Sequence, residues 1–136
     1  MDPDELARLL ADRLQRIVPP GFHVDVADGM LWYSSDEGRF PGQQNDYQAG
    51  RSGTFVRDNF ARHGDTLAEH IVGVAREALD ELQDYVDEAS HDPWPGRTTP
   101  PEPHAEIRGA RLHLWFADGE AVVAACEPIP LEGAAS

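Results

Sequence analysis

Residues 104–126 read HAEIRGARLHLWFADGEAVVAAC, and the fold class is predicted from this stretch. Apolar and polar residues alternate along much of it, as they do in strands that bury one face. Two short interruptions, Gly109-Ala110 and Asp118-Gly119, have the residue types that favour tight reversals between antiparallel strands. The stretch is therefore predicted to be a three-stranded antiparallel meander. Its predicted strands are 104–108, 111–117 and 120–126.

Two helices are predicted upstream of the meander. Asp2 is placed to cap the first helix, and apolar residues recur at helical spacing from there to Val18. Thr66 has the same capping chemistry for a second helix, which is predicted over residues 66–89. Each helix has one continuous apolar stripe, so each is expected to pack one side against a sheet.

A hairpin and two irregular segments complete the predicted elements. Alternation along 22–27 and 30–35 flanks Asp28-Gly29, which is among the strongest short signals for a hairpin. Residues 36–64 are rich in glycine and polar residues and are predicted to form a long polar loop, in which residues 54–60 form a short helix or a strand. Residues 93–103 contain five prolines and are predicted to form a stiff, extended connector.

The element order predicts a single α+β domain over residues 1–136, since this length suits one domain. In sequence the order is helix, two strands, helix, three strands. We expect one antiparallel sheet of about five strands, with both helices packed on one face. The order is loosely similar to that of bacterial secretion-chaperone folds, and it assigns no function because one fold serves many functions.

Charge and composition exclude several classes of function. The chain has 11 basic and 25 acidic residues, a formal net charge of -14, which argues against direct binding to nucleic acid or to anionic lipid. No apolar run approaches the roughly 20 residues of a membrane span. Cys126 is the single cysteine, so an internal disulfide and a cysteine-based zinc site are excluded. All basic residues are arginine and no secretory signal precedes the fold, so a bacterial cytoplasmic protein is expected.

The predicted register sorts the strand residues onto two faces. One face is apolar and is expected to lie beneath the helices. The opposite face carries aromatic and imidazole side chains that are unusual on a solvated sheet. Its candidate binding residues are Trp32, His104, Glu106, His113 and Trp115. The last strand is predicted to point Ala121, Val123 and Ala125 toward the helices and Val122, Ala124 and Cys126 away from them. Such a surface is typical of interfaces and ligand grooves, unless the long loop and the proline connector cover it.

The second helix is strongly acidic. Residues 65–92 contain nine acidic residues and one basic residue, Arg76, which accounts for -8 of the net charge. This face either keeps the chain soluble or docks a basic partner. The candidate docking residues are Glu77, Asp80, Glu81, Asp84, Asp87 and Glu88.

No catalytic residue, metal site or cofactor is predicted. Glu88 and His91 have a spacing that could hold a divalent metal, but no metal-binding motif accompanies them. Glu127 beside Cys126 disfavours a reactive thiolate. The sequence favours a non-enzymatic interaction domain, adaptor or chaperone-like and homodimeric, with a protein partner that would be basic if it docks on the acidic helix. The alternative is a small-molecule-binding domain or enzyme that uses the aromatic face beneath the loop at 36–64.

Overall fold

Two antiparallel sheets share one long helix in this protein. The computed structural model describes residues 1–36, 52–90, 94–95 and 101–131. A short 3-10 turn, Phe60–Arg62, stands between the second and third helices. The helices and strands are α1 (Pro3–Gln15), β1 (Phe22–Ala27), β2 (Met30–Ser35), β3 (Ser52–Thr54), α2 (Val56–Asn59), α3 (Leu67–Ser90), β4 (Glu102–Arg108), β5 (Arg111–Asp118), β6 (Ala121–Ala125) and β7 (Ile129–Pro130).

The α+β class is confirmed, but the prediction of a single five-stranded sheet is wrong. The first sheet has the order β1-β2-β3, and the second has the order β4-β5-β6, with β7 also pairing with β5. Both edges of the first hairpin are occupied, so it has no edge to offer the meander. On one side β3 pairs with β2. On the other, the Gln15 amide accepts from the Val24 backbone at 2.7 Å and donates to the Phe22 carbonyl at 3.0 Å.

Both long helices begin where their capping residues predict. The Asp2 carboxylate accepts a hydrogen bond from the Glu5 backbone at 2.8 Å. The Glu69 backbone donates to the Thr66 hydroxyl at 3.1 Å, and the Thr66 backbone donates to the Glu69 carboxylate at the same distance. These bonds satisfy amide groups that the first helical turn leaves unpaired. The predicted span of 66–89 for α3 is confirmed to within one residue, and α1 ends at Gln15, before Val18.

Two of the three predicted turns have the predicted register. Ala27 pairs with Met30 across the turn at 28–29, and Arg108 pairs with Arg111 across the turn at 109–110. The third turn lies one residue later than predicted, because Asp118 pairs with Ala121.

A bulge in β6 then changes which of its residues face the core. The register shifts between Phe116 and Ala117, so that Phe116 pairs with Ala124. Ala124 and Cys126 consequently pack with the core, contrary to the prediction, because a bulge inserts one unpaired residue and reverses the faces beyond it. Ala121, Val123 and Ala125, which were predicted to face the helices, are exposed.

The irregular segments are described in part. The segment predicted to form a helix or a strand around 54–60 forms both, since β3 ends at Thr54 and α2 follows from Val56. Residues 37–51 of the predicted long loop, and 91–93 and 96–100 around the predicted proline connector, lie outside the described residues. Trp94 is described, and its ring packs edge-on against Phe116 with the ring centroids 5.4 Å apart.

We expect Phe116→Ala to lower the free energy of unfolding by about 3–5 kcal/mol, because Phe116 is fully buried and its loss leaves a cavity beside Trp94. The measurement is urea denaturation followed by circular dichroism. Phe55→Ala is the control, since it is the same substitution at a phenylalanine that is 50% exposed, and it should change the stability by less than about 1 kcal/mol. A loss below 1 kcal/mol for Phe116→Ala would contradict the described core.

Candidate functional site

Three side chains from β4 and β5 form a stacked group on the side of the second sheet that faces away from α3. The His104 and Trp115 rings are nearly parallel, with centroids 5.2 Å apart and an interplanar angle of 17°. The guanidinium carbon of Arg108 lies 5.1 Å from the centroid of the Trp115 ring, within the range of a cation–π contact. Glu106 holds Arg108 through a 2.7 Å contact between Oε2 and Nε. We call this side of the sheet the outer face; its residues are Glu102, His104, Glu106, Arg108, Arg111, His113, Trp115, Ala117, Val122 and Ala125.

The predicted pairs on the outer face are confirmed. His104 pairs with Trp115, and Glu106 pairs with His113. These four predicted binding residues therefore lie together on adjacent strands, as the turn at 109–110 requires.

Trp32, the fifth predicted binding residue, belongs to the first sheet. It points away from the helices as predicted, because its neighbours Leu31 and Tyr33 are buried on the opposite face. Trp32 pairs with Gly53 of β3, and a side chain at Gly53 would lie 3.2 Å from the Trp32 ring. Because the two hairpins belong to separate sheets, Trp32 and Trp115 do not form the single sheet face that the sequence predicts.

An apolar groove lies beside Trp115 on the outer face. Its volume is about 390 Å³, and it runs between the side chains of β5 and β6. Its walls include Arg108, His113, Trp115, Val122, Ala125 and Cys126. Val122 and Val123 on β6 are 61% and 40% exposed, although both are large apolar residues. Burial raises the pKa of the Cys126 thiol to about 12, which disfavours the reactive thiolate form of this cysteine.

The six predicted acidic docking residues divide into two groups. Asp80, Asp84 and Glu88 are exposed and follow one another at intervals of four along α3. Burial and the neighbouring carboxylates raise the pKa of Asp84. The other three are partly buried and turn toward the fold; they are Glu77, Glu81 and Asp87. The candidate docking surface is therefore a narrow row rather than the whole helix face.

Glu77 is the centre of a polar cluster that the sequence did not predict. Its carboxylate accepts from the Asn59 amide at 2.8 Å and contacts His63 Nε2 at 2.9 Å. Glu81, one turn further along α3, lies beside Glu77 and the Thr54 hydroxyl. Burial is the largest cause that raises the pKa of Glu81, to about 7, and the negative charges of Glu77 and Asp80 add to it. The Glu81 Oε1 atom is buried and has no hydrogen-bond partner in the described part of the chain.

Gly73 explains how His63 reaches this cluster. A side chain at Gly73 would overlap the ring of His63, so the imidazole lies directly on the backbone of α3. Glycine inside a helix costs about 1 kcal/mol relative to alanine. One signal for the cluster was therefore present in the sequence: a glycine within a long amphipathic helix, four residues before Glu77.

Metal binding and membrane insertion are the two further properties that the described residues allow to be examined. Within the described ranges, no group of three or more histidine, cysteine, aspartate or glutamate side chains could hold a metal ion. His91 lies outside the described residues, so the pairing of Glu88 with His91 is not tested. No helix in the part of the chain that the structure describes is both long enough and apolar enough to cross a membrane.

Comparisons with models of protein families, with curated proteins and with solved structures found no match to this chain.

We expect Gly73→Ala to destabilise the protein by about 1–3 kcal/mol, although alanine is the better helix former, because the new methyl group displaces the His63 ring from Glu77. Urea denaturation measures the effect. In a His63→Ala background the same substitution should instead stabilise by about 0.5–1 kcal/mol, because only the helix propensity then remains. If Gly73→Ala changes the free energy of unfolding in the same direction in both backgrounds, the described contact between His63 and Gly73 is wrong.

Proposed function

We propose that this chain is a non-enzymatic protein-interaction domain, adaptor or chaperone-like, that functions as a homodimer through its outer face and strand β6. The observation that carries the proposal is the pair of exposed valines, Val122 and Val123, on an uncharged strand beside an apolar groove. Large apolar side chains on a sheet edge are typical of surfaces that pair with another chain.

Strand β6 has the properties of an edge that accepts a further strand. Within the described residues it pairs with β5 alone, so one side of its backbone has no strand beside it. None of the residues from 121 to 125 carries a charge, whereas natural edge strands are commonly protected by lysine or other charged side chains. Backbone hydrogen bonds would supply affinity, and the groove would receive side chains of the partner.

Charge favours a second copy of the chain as the occupant. The net charge of -14 makes most surfaces of two copies repel each other. The outer face is an exception, because Arg108 and Arg111 balance its two carboxylates, Glu102 and Glu106. Two outer faces can therefore approach without the repulsion that other surfaces would meet.

A symmetric arrangement also avoids direct opposition of like charges. Antiparallel pairing of two β6 strands about Val123 would place Ala121 opposite Ala125 of the partner copy. It would place Glu120 opposite Cys126, so that no two carboxylates face each other across the pair. Such an interface uses the same patch on both copies, as two-fold symmetry requires.

The exposed acidic row is the proposed docking surface for a basic protein partner. Asp80, Asp84 and Glu88 have no intervening basic side chain along this stretch of α3. Exposed charges are screened by salt, so binding at this row would weaken as ionic strength rises.

Trp115→Glu and Val122→Glu should each convert a dimer into a monomer at micromolar concentration, because each places a carboxylate in the groove between the two copies. Analytical ultracentrifugation measures the mass. Phe55→Glu is the matched control, since it adds the same charge at another large residue that is 50% exposed, and it should leave the dimer intact. Circular dichroism verifies that each variant is folded. If the wild-type protein still sediments as a monomer at 100 times this micromolar concentration, the proposed dimer is wrong.

The second candidate function is small-molecule binding in the same groove. Its volume of about 390 Å³ falls within the usual size of ligand pockets, and Arg108 and His113 supply polar groups at its wall. A ligand that occupies it would raise the melting temperature by mass action. Thermal shifts with metabolites that Trp115→Glu abolishes, in a protein that stays monomeric, would favour this candidate over the dimer.

A further inference from the structure

A directional chain of hydrogen bonds links β2 and β3 to α3. The Tyr33 hydroxyl donates to the Ala78 carbonyl of α3 at 3.2 Å, and it lies 2.5 Å from the Thr54 hydroxyl of β3. A carbonyl oxygen can only accept, and a tyrosine hydroxyl has one proton. While Tyr33 donates to Ala78, the donor between Tyr33 and Thr54 is therefore Thr54.

The direction of this chain determines which form of Glu81 fits beside it. In that arrangement Thr54 gives its one hydroxyl proton to Tyr33 and can only accept from Glu81. A Thr54 hydroxyl that donates to Glu81 instead lowers the pKa of Glu81, but by less than burial raises it. Glu77 likewise accepts already from Asn59 and contacts His63, and it presents no proton to Glu81. A neutral Glu81 can donate to one of these oxygens, whereas a Glu81 carboxylate would face their lone pairs and leave the buried Oε1 atom charged and unpaired.

We propose that Glu81 is a proton-controlled latch, which holds β3 and the segment from 55 to 63 on α3 while it is neutral and releases them when it ionises. This inference is independent of the proposed dimer, since the latch lies on α3 and the first sheet. The residues that the latch holds include Thr54 and Val56, both fully buried, and Phe60, which is nearly so.

The surroundings of Glu81 set the direction of the response. From α3 it faces the carboxyl groups of Glu77 and Asp80, and from β2 it faces Tyr33, whose pKa burial raises far above its usual range. His63 is the one basic group of the cluster, and Glu77 lies between it and Glu81. The two charged neighbours on α3 therefore oppose ionisation of Glu81, and burial does so more strongly.

The pH window follows from the two states of Glu81. In the closed state its pKa is raised to about 7, and in the released state we expect it near the ordinary value of 4.5. The closed state thus binds the proton more tightly, so the stability that Glu81 contributes to it is complete below pH 4.5, falls as the pH rises and is lost once the pH passes 7. The segment should open more readily at pH 8 than at pH 5.

Hydrogen exchange measured by mass spectrometry tests the latch in the intact chain. The readout is the protection of amides in residues 52–62 at pH 5 and pH 8, corrected for the intrinsic effect of pH on exchange. We expect protection to fall at least about tenfold between the two values in the wild type, which corresponds to one unit of pKa difference. Peptides from α1 are the internal reference. They should lose less protection than residues 52–62 if the segment opens locally, whereas global unfolding would lower the protection of both regions equally.

Two variants separate Glu81 from its neighbours. Glu81→Gln keeps the shape and cannot ionise, so its protection at 52–62 should change less than about threefold between pH 5 and pH 8. Asp84→Asn removes an exposed carboxylate in the same helix and should behave like the wild type. An equal fall in Glu81→Gln and the wild type would assign the effect to His63 or another group and overturn the proposal.

A direct titration keeps the proposal testable if Glu81→Gln fails to fold. Carbon-13 NMR of the side-chain carboxyl groups in the wild type should show Glu81 titrating with a midpoint near 7. A midpoint near 4.5 would show that Glu81 is charged in the closed state, and the latch would then be wrong. A midpoint near 7 with constant protection across the same range would also overturn it.

Discussion

The structure depends on the burial of one helix, α3, against strands of both sheets. Its buried side chains include aliphatic residues along its full length, and two alanines, Ala75 and Ala78, allow neighbouring elements to approach its backbone closely. Tyr33 uses this approach, since its hydroxyl bonds to the carbonyl of Ala78. Burial of apolar area is the main favourable term in folding, at roughly 25 cal/mol per Å². An acidic helix can therefore be retained despite its unfavourable like charges.

The same helix determines where polar chemistry can occur. Because α3 has one face in the core and one in solvent, its carboxylates experience different surroundings according to their position. Asp80 and Glu88 point into water. Glu77 and Glu81 lie at the boundary, where Glu77 accepts a hydrogen bond from Asn59 and burial favours the neutral form of Glu81. A uniform run of acidic residues in the sequence thus becomes two surfaces of different chemistry.

The proposed interface and the proposed latch lie on different parts of the molecule. The outer face belongs to the second sheet and is turned away from α3, whereas the Glu81 cluster joins α3 to the first sheet. The boundary between the two sheets explains the separation, because Gln15 and β3 occupy both edges of the first hairpin. A change at one site can therefore be tested without altering the residues of the other.

Local features of the sequence determined the helix starts and most turns. Asp2 and Thr66 act through neighbours three residues away, and Asp28-Gly29 places both turn residues at positive φ, so no distant contact is needed. The pairing of His104 with Trp115 follows from such a turn. Only the tertiary structure decided the number of sheets, the bulge opposite Phe116 and the cluster around Glu81. Each of these depends on contacts between residues far apart in the chain, such as Thr54 with Tyr33 or His63 with Gly73, and packing free energy rather than local propensity selects them.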